Sequence, residues 1–243
     1  MPYREITGNL FASKARALVN TVNCVGPMGK GIALEFRRRF PEMFASYQAV
    51  CERRQLRPGQ ILPYRKSVPW VLNFAVKDDW KHPSKVEWIE ECLRKFIEWY
   101  PTVGLESVAF PWMGAMNGGI PLATIQEITR RYLEPLSDID VEVYTFDPAA
   151  PDPLFLRLGG YLARCSPEEF ARDSGLVKNK AAKVCEAMND PATTSMTTLA
   201  KHAALGKTSL DKLYGFLIRL PDEVEPEAPR PPRQEEQLQL FPS

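Results

Sequence analysis

The chain has 243 residues, 44% hydrophobic and 25% charged, with a net charge of +1; this is the make-up of a globular protein with a true core and excludes a fibrous or low-complexity polymer. No apolar run approaches the roughly 20 residues that span a bilayer, and the polar first nine residues lack a secretory-signal core, so no membrane association is expected. Five cysteines, at 24, 51, 92, 165 and 185, are odd in number and form no C-x-x-C pair, so the expectation is a reducing cytoplasm with neither a disulfide framework nor a bound metal.

Residues 1–150 alternate strand and helix signals. Apolar runs at 17–23, 71–76, 107–110 and 141–146 read as short buried strands. Residues 31–47 place Ile32, Leu34, Phe36, Phe40, Phe44 and Tyr47 at roughly helical spacing, with Pro41 marking a break or a new first turn. Ser84 followed by Glu87 has the form of a capping box. It opens a helix with Val86, Ile89, Leu93, Phe96, Ile97 and Tyr100 on one face, stopped by Pro101. Pro121 suits the first position of another helix, with Ile125, Ile128 and Tyr132 facing inward. Alternation of this kind predicts an α/β layered sheet.

Pro148, Pro151 and Pro153 predict a hinge. Residues 154–220 carry no strand signal. Ser166 with Glu169 caps one helix, and helical stretches follow at 178–188, 196–204 and 209–220, with breaks at Pro191 and Gly206. A small all-α domain is expected, suited to a helix-turn-helix DNA reader or to a toxin-neutralising unit. Residues 221–243 hold six prolines and six acidic side chains and are expected to be disordered. Residues 1–220 carry an excess of five basic side chains, a weak pointer to nucleic acid.

Two glycine-bearing loops carry the chemistry. In the first, a buried strand runs through Asn23 and Cys24 into Gly26, Gly29 and Gly31 and then a helix. Glycines let backbone approach a bulky anion, and the N–H groups of a helix start favour phosphate. The second runs from Pro111 and Trp112 through Gly114, Ala115, Met116, Asn117, Gly118 and Gly119 to Pro121, also between a strand and a helix. Together they suggest a diphosphate held from both sides.

With Ile6 to Leu10, Ala17 to Asn23 and Met28 to Ala33, these loops resemble the macrodomain family over about residues 1–147. Asn73 to Trp80 is similar to a segment of the DarG branch, antitoxins that reverse DNA ADP-ribosylation by DarT toxins. The resemblance implies a three-layer α/β/α sandwich with a mixed sheet and with ADP-ribose lying across the carboxyl ends of the strands, no cofactor being required. It also implies a site residue by residue. Gly29, Lys30, Gly31, Ile32 and Ala33 line one side of the phosphates; Pro111, Gly114, Ala115, Met116, Asn117, Gly118 and Gly119 cover the other. Phe146 stacks on adenine, Asn9 and Leu10 sit near its amine, and Asn23 contacts the distal ribose or the linked base. Asn9 stands where many macrodomains carry Asp, and Met116 where a small residue is usual. Lys77 is the expected catalytic group, either as an ammonium that protonates the ribose oxygen or leaving base, or as a neutral amine that attacks the anomeric carbon. Trp80 and Trp112 are candidates to stack on an extruded base.

The expected function is removal of ADP-ribose from DNA bases. A non-catalytic ADP-ribose-binding module, or a hydrolase of protein-linked ADP-ribose or its esters, are the alternatives. The expected partners are ADP-ribosylated DNA and a DarT-like toxin. A third arises from Gln237, Leu238, Leu240 and Phe241, which resemble the short peptide that docks into the bacterial sliding clamp.

Overall fold

The computed structural model of the protein describes residues 2–221. Six strands, β1 (Tyr3–Gly8), β2 (Ala17–Val22), β3 (Ile61–Tyr64), β4 (Trp70–Ala75), β5 (Ser107–Pro111) and β6 (Asp140–Phe146), form one sheet in the order β1-β6-β5-β2-β4-β3. Every neighbouring pair is parallel except β3 with β4, so the sheet is mixed. Its central strands are near-continuous apolar runs because both faces are covered. Ala17 and Val19 of β2, with Leu72 and Phe74 of β4, enter one core; Leu18 and Val22, with Val71 and Ala75, enter the other.

The second of these cores is closed by α1 (Gly31–Arg39) and α2 (Pro41–Glu52) through Phe36, Met43 and Tyr47. The first is closed by α3 (Val86–Trp99) and α4 (Leu122–Leu133) through Ile89, Phe96, Ile125 and Ile128. The result is the three-layer α/β/α sandwich. Pro41 is the first residue of α2, a position where its missing N–H costs nothing.

Two strands escape the apolar-run signal. β1 is an edge whose polar side chains are held by ion pairs, Arg4 to Glu142 at 2.9 Å and Glu5 to Arg130 at 2.6 Å. β3 is the other edge and carries Pro63, which only an edge strand tolerates. The capping box expected at Ser84 is absent. Lys85 takes the cap position without a side-chain bond, and the buried Ser84 hydroxyl has no partner among the described residues. The Ser84 N–H instead donates to the Gly118 carbonyl at 2.9 Å, tying this turn to the second glycine loop. Pro121 precedes α4 rather than opening it.

The chain then forms α5 (Pro153–Leu162), α6 (Pro167–Ser174), α7 (Lys178–Met188), α8 (Met196–His202) and α9 (Lys207–Leu217), which enclose a further core around Phe170, Leu199 and Leu213. Ser166 and Glu169 do form the expected box. α5 was hidden in the sequence by Gly159 and Gly160 within it. The proline segment expected as a hinge is bonded on both sides. The Asn9 amide donates to the Pro151 carbonyl at 3.3 Å and the Thr194 hydroxyl to the Ala149 carbonyl at 2.6 Å. Asp152 caps α5 and accepts Arg39 at 2.6 Å, with both side chains buried. Asp211 meets Arg38 at 2.8 Å, and the Tyr214 hydroxyl donates to Glu35 at 2.6 Å. The segment expected to be disordered, with the clamp-like residues Gln237, Leu238, Leu240 and Phe241, lies outside the described residues.

The two serines make a contrast that urea unfolding can measure. Ser166→Ala removes a cap and should cost about 1 kcal/mol. Ser84→Ala removes an unpaired buried hydroxyl and should cost less than about 0.5 kcal/mol or stabilise.

Candidate functional site

In the order β6-β5-β2-β4, four neighbouring parallel strands run the same way, so their carboxyl ends form one row. At that row lie Phe146, the last residue of β6, the second glycine loop after β5, the first glycine loop after β2, and Lys77 two residues beyond β4. At about 4.8 Å per strand the row spans roughly 14 Å. An extended ligand can therefore touch Phe146 at one end and Lys77 at the other.

The two loops meet. Gly31 has a φ of +56°, and a side chain there would collide with the amide of Asn117 across the gap. The Lys77 ammonium donates to the Asn117 carbonyl at 2.6 Å. Its partner is thus the second loop and not the adjacent carboxylates of Asp78 and Asp79. Burial pushes the Lys77 pKa below the ordinary lysine range. The second loop is a tight ring. Ile120 N–H donates to the Gly114 carbonyl at 3.1 Å, and Gly118 lies so close to the Gly114 backbone that no side chain fits.

The expected ligand-contacting residues divide into three groups. Gly29, Lys30, Gly31, Met116, Asn117, Gly119 and Phe146 are exposed, while Ile32, Ala33, Pro111, Gly114 and Ala115 are half-buried. Trp80 is exposed beside Lys81, whose ammonium lies 5.5 Å from its ring. Trp112 is half-buried, with its indole N–H donating to Thr145 at 2.8 Å, so one edge of it is committed to the fold.

The third group faces inward. Leu10 belongs to the core, and Gly118 is buried under its own loop. Asn9 accepts from Phe11 N–H at 3.0 Å and donates to Pro151, so its amide organises the backbone instead of presenting itself to a ligand. Asn23 is likewise committed. It accepts from the N–H groups of Val25 and Gly26 at 2.9 and 3.0 Å and donates to the Pro27 carbonyl at 2.6 Å. Its polar atoms thus shape the first loop. Burial, with the Asp78 charge, pushes the thiol of Cys24 beside it up to about 12, which disfavours the thiolate.

Three supporting residues went unread in the sequence. Tyr47 is fully buried and donates to the Asn23 carbonyl at 2.7 Å, pinning the loop from below. Asn20 and Asn73 form a buried pair at 2.9 Å under the same loop, with Asn73 also donating to Leu62 across the edge strand at 3.2 Å. Tyr47 reads as one more apolar position of a helix, and the two asparagines sit inside apolar runs. Only their spatial meeting gives them a role.

The Macro domain family model matches residues 19–129, which contain both loops and Lys77. The macrodomain of Thermus aquaticus DarG is similar over 59% of this chain and 97% of its own, at 39% identity and a TM-score of 0.56. This chain belongs to the macrodomain family. The macrodomain of Mycobacterium tuberculosis DarG is similar at 36% identity over 58% of this chain and 96% of its own, with a TM-score of 0.56. Among curated relatives, the DNA ADP-ribosyl glycohydrolase of Thermus aquaticus is 39% identical over 145 residues. The match covers 58% of this chain but only 40% of that relative's length. The chain thus spans less than half the length of the curated relative it matches.

The glycines of the macrodomain loops differ in what they exclude. Gly118→Ala should lower stability by about 1–3 kcal/mol through overpacking and expose the Ile120 amide to hydrogen exchange. Gly29→Ala, which meets open space, should leave both unchanged.

Proposed function

We propose that this macrodomain binds ADP-ribose along the row of strand ends and hydrolyses its linkage to a DNA base. The observation that carries the reading is the Lys77 amine at the meeting point of the two glycine loops, at one end of the row. Further support comes from Thermosipho africanus DarTG in complex with ADP-ribose, 30% identical and similar over 60% of this chain with a TM-score of 0.54. The curated relatives named as DNA ADP-ribosyl glycohydrolases point the same way.

In this reading adenine stacks on exposed Phe146 and the diphosphate lies between Gly29–Lys30–Gly31 and Met116–Asn117, where backbone N–H groups can approach it. That leaves the distal ribose beside Lys77, with the modified base leaving toward Trp80. The bond that breaks joins the anomeric carbon to a base nitrogen; water supplies the hydroxyl left on the ribose and the proton gained by the base. Lys77 assists as a proton donor to the leaving group or as an amine that adds to the anomeric carbon before water replaces it. Asn23 and Tyr47 hold the loop in place. Residues 1–150 form the catalytic domain and 154–220 a helical accessory domain. A DarT-like toxin is the proposed source of the modified DNA. The peptide at 237–241 is proposed to dock on a sliding clamp, and deleting 237–243 should abolish clamp capture.

Lys77→Ala should retain ADP-ribose affinity by calorimetry and lose roughly 100-fold or more of hydrolysis of a thymidine- or guanine-linked oligonucleotide. Equal turnover in the variant overturns the role. A wild-type protein that binds ADP-ribose yet releases it from no DNA substrate turns the assignment to a binding module. The pH profile separates the two chemistries. An attacking amine makes kcat rise with pH toward the lowered Lys77 pKa, whereas a proton-donating ammonium makes it fall through the same value.

A further inference from the structure

A cavity of about 350 Å³ lies beside the first glycine loop, walled by residues 25–29, by Arg37 of α1, by Phe44, Gln48 and Glu52 of α2, and by Lys207 at the start of α9. The loop is therefore shared. Its Gly29 end leads into the cleft edge at Gly31, and its whole length closes this second space. We propose that the cavity holds a nucleotide flanking the modified one on a single DNA strand, a reading that rests on the proposed glycohydrolase activity.

The chemistry of the walls selects the occupant. Arg37 lies over the Phe44 ring with its guanidinium carbon 5.8 Å from the centroid, and Val25 is about half exposed, so the cavity offers flat and apolar surface to a base. Gln48 supplies a donor and an acceptor for a base edge, and Glu52 an acceptor for an exocyclic amine. A carboxylate in the wall disfavours a bare anion such as free phosphate. Lys207 is exposed, and among the described residues its ammonium has no ion-pair or hydrogen-bond partner, which leaves it available to the phosphate that joins two nucleotides.

The placement also gives the helical segment a task. α9 is anchored on α1 by Arg38 with Asp211 and by Tyr214 with Glu35, and that anchorage brings Lys207 to the cavity. The segment thus pairs the Arg37 guanidinium of the wall with Asp211 at 3.3 Å and adds a second cation, Lys207, to the surface. A DNA strand whose modified base sits near Lys77 continues over the 25–29 loop and lodges its neighbour here.

The test uses the full chain and two substrates. Anisotropy with an unmodified fluorescent single-stranded oligonucleotide should show Lys207→Glu binding roughly tenfold more weakly at low salt, with Lys207→Arg near wild type. Gln48→Ala should weaken binding about twofold or more. For ADP-ribosylated oligonucleotide, Lys207→Glu should raise KM with kcat unchanged, while turnover of an ADP-ribosylated mononucleoside, too short to reach the cavity, stays at the wild-type rate. Wild-type-like oligonucleotide binding by Lys207→Glu overturns the proposal, as does an equal loss on the mononucleoside. If the wild type releases ADP-ribose from no DNA substrate, the catalytic reading fails on its own, while the anisotropy arm still decides the cavity.

Discussion

The parallel run of β6, β5, β2 and β4 is the constraint on which everything else rests. Parallel strands in a row place all their carboxyl ends on one edge, and the chain leaves the sheet there at each of them. The two innermost strand ends lead into the glycine loops, so close-approaching backbone appears at the middle of the edge. The outer two ends supply side chains, Phe146 and Lys77. An antiparallel neighbour anywhere in this run would send one of the four to the opposite side of the molecule. The single antiparallel pair, β3 with β4, lies outside the row, where it costs the site nothing.

The row is fixed to the helical segment through one buried joint. Arg39 ends α1, whose first residue is Gly31 of the first loop, and its guanidinium meets Asp152, which also caps α5. One residue earlier, the Pro151 carbonyl accepts from Asn9 beside the Phe146 end of the cleft. Phe11 stacks under Arg39 at 4.3 Å, so the ion pair is sealed from water on that side. A buried pair of this kind adds little net stability but punishes any arrangement that separates its members. It therefore acts on geometry, fixing the start of α5 against the end of α1.

How legible the site was in the sequence depended on the range of the interaction. Local signals carried far: the apolar runs of β2, β4, β5 and β6, the restart at Pro41 and the box at Ser166 each depend on neighbours a few residues away. The loops and Lys77 were legible because glycine spacing and family resemblance are properties of the chain itself. The loop-shaping bonds of Asn9 and Asn23 left no signal, since an amide looks the same in sequence whether it faces a ligand or a carbonyl of its own loop. Ser84 failed for a related reason. The i, i+3 pattern was present, but tertiary bonding to Gly118 claimed its backbone first. β1 and β3 were hidden because edge strands need not be apolar on both faces. The Arg39–Asp152 joint spans 113 positions and left no local trace.

Lys77 is the place where stability and function pull apart. Its depressed pKa means that the unfolded chain holds the proton more tightly than the folded one, so at neutral pH the placement works against folding, and stability should rise as pH climbs toward the ordinary lysine value. The Asn117 carbonyl offsets part of this by accepting from the ammonium at 2.6 Å. Under the proposed function, a ligand whose distal ribose reaches this amine would have to displace that carbonyl from it.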